Sequence, residues 1–201
     1  MTTAHASQER RRRAGRPRSM QAERAIINAA LDEFAEAGPQ GLAIEKVAAK
    51  AGVGKATIYR RWPGKEELLL DAISAMRTEL PEPKGESVRE DLAALLDAMG
   101  RESADPRWAR QFALLLGDGA AYPRLLERYL DTVVEPRREI VRNVLRRGVA
   151  TGELREETNI EAAVDLLTGA VIARPRSGKD RVDRGYARRI VDELLIGLAS
   201  R

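Results

Sequence analysis

The residues of this chain best suited to chemistry are basic and close together. The stretch "IEKVAAKAGVGKATIYRRWPGKEELL", Ile44 to Leu69, carries Lys46, Lys50, Lys55, Arg60, Arg61 and Lys65 around a Gly-Val-Gly break. With Gly52 as a turn residue, helical spacing puts Val47, Ala51, Val53 and Ile58 at positions buried between two short helices. Ala48, four residues before the glycine, falls where the helices cross and only a small side chain fits. Glu45, Lys46, Lys50, Lys55 and Arg60 fall outside. This is the spacing of a helix-turn-helix, whose second helix is offered to the DNA major groove. Gly52 supplies the backbone freedom that the tight turn needs. An ordinary αα-hairpin would share the glycine, but it would not need five coincident positions or this local basicity.

Other chemistry is poorly represented. The only histidine, His5, lies in the N-terminal tail, and no cysteine is present, which removes thiolate metal sites, disulfides and cysteine nucleophiles. Neither a phosphate-loop glycine pattern nor a Gly-x-Ser-x-Gly elbow occurs. Acidic residues such as Glu156, Glu157 and Glu161 follow helix surfaces. Catalysis, a cofactor and a metal are therefore not expected. No apolar run is longer than "FALLL", Phe112 to Leu116, far short of a membrane span. The charge is divided unevenly: residues 1–65 carry 13 Lys/Arg against 6 Asp/Glu, and the remainder 22 against 25. A basic front on a mildly acidic rear points to a polyanion as partner of the front alone.

The elements that must position the basic cluster read as helices throughout, in a composition of 43% apolar and 33% charged residues with few aromatics. Met20–Ala37 has Ala22, Ile26, Ile27, Ala30, Leu31 and Phe34 on one face, and ends at Gly38-Pro39. Leu42–Ala51 and Gly54–Trp62 follow, then Lys65 to about Leu80. "LPEPKGE", Leu80–Glu86, reads as a linker. Ser87 with Glu90 forms a capping box for the next helix, and Asp105-Pro106 starts another that ends at Gly117–Gly119. A long stretch from Pro123 to about Ala150 should be bent or divided by Pro136. Helices over Asn159–Ala173 and Asp183–Ser200 flank the loop "RPRSGKDR". The expected class is all-α.

The segment "AGVGKATIYRRWPGKEELLLDAI" resembles the DNA-binding segment of the tetracycline-repressor (TetR/AcrR) family of bacterial regulators, and the likeness covers about Ala22 to Ile73. Beyond it, only length, helical character and "EPRREIVRNVLRRGVATGELR" are similar. Residues 1–18 show no apolar periodicity and should form a basic arm that is disordered when free; the resemblance implies a three-helix helix-turn-helix head at 19–66 and a larger ligand-binding and dimerisation body at 67–201. It implies a homodimer on a palindromic double-stranded DNA operator, released by an unidentified small-molecule effector, without a membrane partner and in the cytoplasm at the nucleoid. The recognition helix would present Gly54, Lys55, Ala56, Thr57, Tyr59 and Arg60 to DNA. Arg60 suits bidentate contact with guanine O6/N7. Ala56 and the Thr57 methyl suit a thymine methyl, while Tyr59, Lys55 and Lys65 suit phosphates. Trp62 is expected in the core. The family often has a threonine cap where Ala43 stands and a serine where Gly64 stands, so one cap worth about 1 kcal/mol is missing.

The arm "RRRRAGRPRS" holds six arginines from Arg10 to Arg18. Its Gly-Arg-Pro core could lie in a narrow A·T-rich minor groove or bind phosphates without preference. Arg16 and Arg18, nearest the first helix, are expected to contribute most. A rival reading is an architectural protein that coats DNA through this arm. Candidate pocket residues are Met99, Trp108, Phe112, Leu115, Tyr122, Tyr129, Leu166 and Val171, with Arg110 or Arg174 able to receive a carboxylate. The last two helices, with small residues Ala163, Gly169, Ala170 and Gly197, are expected to form the dimer contact.

Overall fold

The computed structural model describes residues 4–117, 122–173 and 185–198, with side chains from Met20 onward except Leu116 and Leu198. The regular elements among them are helices: α1 (Ala4–Gly41), α2 (Ile44–Ala51), α3 (Lys55–Tyr59), α4 (Lys65–Ala75), α5 (Val88–Ser103), α6 (Pro106–Gly117), α7 (Pro123–Tyr129), a π-helical turn (Leu130–Val134), α8 (Glu135–Ala150), α9 (Ile160–Ala173) and α10 (Tyr186–Leu198). None is long and apolar enough to cross a membrane. The chain divides into two compact units, one of residues 1–75 and 114–125, the other of 76–113 and 126–201.

In the first unit α1 packs on α2 and α4, and α2 on α3. The apolar face anticipated for α1 is the one buried, with Ile26, Ala30 and Phe34 at 2% exposure or less. Val47, Ile58, Leu68 and Leu69 complete the interior at equally low exposure. A buried Phe or Leu side chain contributes about 1.5–3 kcal/mol relative to exposure, so this small unit depends on a handful of residues. Gly38 interrupts α1 at φ 68°, a value that glycine reaches without a Cβ penalty. The start of α1 differs from expectation. The helix begins at Ala4, so the backbone of the arm continues it, and the Ala, Gln, Glu and Arg that dominate residues 4–13 are good helix formers.

The fourth helix also ends earlier than its apolar pattern suggested, at Ala75. Ser74 Oγ donates to the Leu70 carbonyl at 2.7 Å, a back-bond that competes with the helix. Past it, Arg77 and Thr78 are held by side chains of the second unit to which they belong.

The second unit is arranged around α5, which packs on α8, α9 and α10, with α9 also against α8 and α10. Leu92, Leu95, Leu96, Val144, Leu145, Val164, Leu167, Val171 and Val191 form its core. The Ser87 hydroxyl caps α5 by accepting from the Glu90 N–H, one half of the anticipated capping box, while the Glu90 carboxylate accepts from Arg89 and Arg188. At Gly148 of α8 an added Cβ would meet Val88 Cγ2 and Leu154 Cδ1 at 2.8 Å, so α8 lies against its neighbours where only hydrogen fits. Arg142, 7% exposed, ties α8 to α9 through Glu161 at 2.6 and 3.0 Å.

The long helical stretch is divided just before Pro136, by the π-helical turn Leu130–Val134. Proline lacks an N–H and crowds the carbonyl four residues back, and the chain absorbs this by widening into the π-helical turn before it.

Candidate nucleic-acid interface

The α2–α3 motif is built on the turn at Gly52. Its φ of 66° and ψ of 33° are left-handed, and two bonds close the end of α2: Gly52 N–H to Ala49 O at 3.2 Å and Val53 N–H to Ala48 O at 3.0 Å. This is the Schellman arrangement, which satisfies carbonyls that a helix end would leave bare. Ala48 and Val47 are buried, as is Ile58 of α3; Ala51 and Val53, expected inside, are only half-buried. They flank the glycine itself, at the edge of the contact. Ala43 makes no side-chain cap to α2, as its residue type requires.

With Ile58 turned inward, α3 exposes Lys55, Ala56, Tyr59 and Arg60 on its opposite face, and Thr57 stands half-exposed at the side. Gly54, the exposed residue before α3, has extended backbone, and an added Cβ would meet nothing within 4 Å. Its lack of a side chain keeps the entrance to α3 low. The Arg60 backbone N–H donates to the Ala56 carbonyl at 3.1 Å, but its side chain makes no hydrogen bond or ion pair among the described residues, leaving the fork of donors available. Lys55 Nζ lies 3.0 Å from Glu45 Oε1, which raises the lysine pKa and lowers that of the glutamate. Exposed pairs of this kind are weak, so the ammonium can exchange Glu45 for a phosphate.

The motif is oriented from α1. Glu33, 3% exposed, receives Lys50 of α2 at 2.7 Å, and Glu36 receives the same ammonium. The lysine pKa is raised, first by the bond to Glu33. Trp62 is buried, as anticipated, and its indole N–H donates to Asp71 Oδ2 at 2.9 Å. Lys65 Nζ donates to the Pro39 carbonyl at 3.4 Å and lies 5.8 Å from the Tyr122 ring centre. The side chains of Arg16 and Arg18 lie outside the described residues.

Of the anticipated pocket residues, Met99, Trp108, Phe112, Tyr129, Leu166 and Val171 lie in the second unit. Trp108 and Phe112 stack at 4.8 Å, and Phe112 meets Tyr129 at 6.1 Å in the second unit. Leu115 and Tyr122 belong to the first unit. Val171 is fully buried in the second core, and Met99 packs against it. Leu166 is 61% exposed, on the outer face of α9. Of the two anticipated carboxylate receivers, Arg110 is exposed and Arg174 lies outside the described residues. Sequence reasoning passed over Arg77, Glu102 and Arg137, which meet beside Trp108 and Tyr129. A signal existed: Glu102 continues the inward spacing of Leu92, Leu95 and Met99 along α5, and a carboxylate on that face needs a buried partner.

A turn closed by a left-handed glycine, followed by a short helix showing arginine, lysine, threonine and tyrosine to solvent, defines a helix-turn-helix DNA-binding protein. The comparisons with known proteins agree. The family described as "Bacterial regulatory proteins, tetR family" matches residues 26–72, and "Tetracyclin repressor-like, C-terminal domain" matches residues 82–194. The HTH-type transcriptional regulator YdeS of Bacillus subtilis (strain 168) is 33% identical, over 88% of this chain and 89% of its own. The fatty acid metabolism regulator protein of the same organism is 26% identical, over 78% and 80%. The crystal structure of the TetR family transcription regulator SCO0332 superposes with a TM-score of 0.63 at 28% identity, covering 90% of this chain and all of that one. The chain belongs to the TetR family of bacterial transcriptional regulators, and is a DNA-binding regulator rather than an enzyme.

Proposed function

We propose that two copies of the chain bind a palindromic operator, repress transcription from it, and leave when a small molecule occupies the second unit. The observation that carries the reading is the free face of α3, where unpaired Arg60 stands beside Lys55, Ala56 and Tyr59. Arg60 reads guanine through O6 and N7, Thr57 and Ala56 meet a thymine methyl, and Lys55 and Tyr59 hold phosphates. Lys65, whose bond to the Pro39 carbonyl is long at 3.4 Å, can exchange it for a phosphate in the same way. Pairing through α9 and α10 is supported by apolar groups left outside the single chain. Ala162, Leu166, Gly169 and Ala173 follow one another at helical spacing on the exposed side of α9, and Ile196 of α10 is 76% exposed. The site of action is the cytoplasmic nucleoid, and the arm with Arg16 and Arg18 adds affinity that salt weakens.

The test is to expose fragmented genomic DNA to purified protein at near-physiological salt and to sequence the retained fragments. A palindromic motif with half-sites about one helical turn apart is expected. Recovery that tracks only A·T content, and that vanishes when residues 1–18 are deleted, would replace this reading with DNA coating by the arm.

A further inference from the structure

The second unit contains a buried cluster with more positive charge than negative. Glu102, 3% exposed at its side chain, accepts from Arg77 Nη1 at 2.8 Å and from Arg137 Nη2 at 2.6 Å. Arg137 also donates to the Thr78 carbonyl at 3.0 Å, and Arg77 to the Tyr129 hydroxyl. The Arg77 guanidinium lies 4.8 Å from the Trp108 ring centre and 5.6 Å from that of Tyr129. Two guanidiniums therefore share one carboxylate, and no second acid pairs with either among the described residues. Arg77 Nε is buried without a hydrogen-bond partner. Aromatic faces offset part of the burial of one cation, but they do not supply an acceptor for an N–H. Burial, with Arg137 adding to it, pushes the Arg77 pKa down.

Two further features fit a place that admits a guest. Arg77 and Arg137 keep 15% and 14% of their side-chain surface exposed, so solvent reaches the cluster's edge. Tyr129 is followed directly by the π-helical turn Leu130–Val134, a backbone irregularity that recurs at functional sites.

We infer that Arg77 and Arg137 form the seat for the anionic end of the effector, a carboxylate whose apolar or aromatic body lies along Trp108 and Phe112. The inference rests on the reading of the second unit as ligand-binding. The carboxylate accepts from the Arg77 Nε–H, which has no partner in the folded chain, and brings the cluster to neutrality.

The test titrates the full-length protein with decanoate, phenylacetate and decan-1-ol, following heat and tryptophan fluorescence. At least one carboxylate is expected to saturate, with the alcohol weaker by about tenfold or more and Arg77→Met weaker for the carboxylate by a similar factor. In the absence of ligand, Arg77→Met/Tyr129→Phe leaves Glu102 and Arg137 as a matched pair, and its melting temperature is expected to equal or exceed that of the parent. Equal affinity for the alcohol, undiminished carboxylate binding by Arg77→Met, no saturation by either carboxylate, or a lower melting temperature in the double variant would each overturn the seat. Carboxylate binding that depends on Arg77 but does not release an operator duplex would leave the seat standing and remove the inducer reading.

Discussion

Asp91→Asn is expected to cost about 2–3 kcal/mol of stability and to lower the melting midpoint by roughly 5–10 °C. Asp91 is 5% exposed on α5, and its two oxygens accept from the Lys84 N–H at 2.8 Å, the Gly85 N–H at 3.0 Å and Arg147 Nη2 at 2.6 Å. One carboxylate thus holds the end of the 80–86 segment to α5 and ties α5 to α8. Asparagine keeps one acceptor, presents an NH₂ where donors already point, and leaves Arg147 without its counter-charge. Arg147 is 27% exposed, so the loss stays below that of a fully buried pair.

The same residue sets a pH dependence. Burial pushes the Asp91 carboxyl up, but the N–H bonds from Gly85 and Lys84, together with Arg147, outweigh it and leave the pKa below the usual value. A carboxyl depressed in the folded state contributes stability above its unfolded pKa, and that stability is lost as pH falls through the folded one. Thermal melts from pH 7 downward should therefore show the parent losing stability below about pH 4, with a flatter acid limb in Asp91→Asn. Parallel acid limbs would remove Asp91 from the account.

The second large effect is expected at the exposed apolar positions. Leu166→Glu/Ile196→Glu should be monomeric by sedimentation, melt close to the parent monomer, and bind an operator duplex at least about a hundredfold more weakly, because the two half-sites are no longer joined. Both side chains face solvent in the single chain, at 61% and 76% exposure, so their replacement leaves the core of the unit intact. In a dimer each would be buried, contributing about 1.5–3 kcal/mol per copy, and four glutamates in their place would carry the cost of desolvated, unpaired charge. A variant that remains dimeric would move the contact to another face.

Local patterns made the DNA-binding unit legible in the sequence. Gly52 marked a turn that only a left-handed residue closes this tightly, and the buried positions of α2 and α3 followed from helical spacing around it. Trp62 read correctly as core because a large apolar ring beside a proline-glycine punctuation has more to gain from burial than from water. Long-range pairings were not legible. Lys65 looks like any first-turn lysine until Pro39 and Tyr122 are brought beside it. Arg77 lies in a stretch whose apolar period continues the helix, while its partners, Glu102, Tyr129 and Arg137, are distant in the chain. Leu166 is marked as apolar by the sequence, which does not say which apolar surface it joins.

If α3 reads base sequence with Arg60 as its principal reader, the Arg60 side chain must matter on one sequence and not on another. Fluorescence anisotropy decides this by comparing parent and Arg60→Ala on the duplex recovered by selection and on a scrambled duplex of equal composition. A loss of about 10- to 100-fold is expected on the recovered duplex, with little change on the scrambled one. An equal loss on both would make Arg60 a phosphate contact and contradict sequence reading by this residue; no loss on either would contradict the docking of α3 itself.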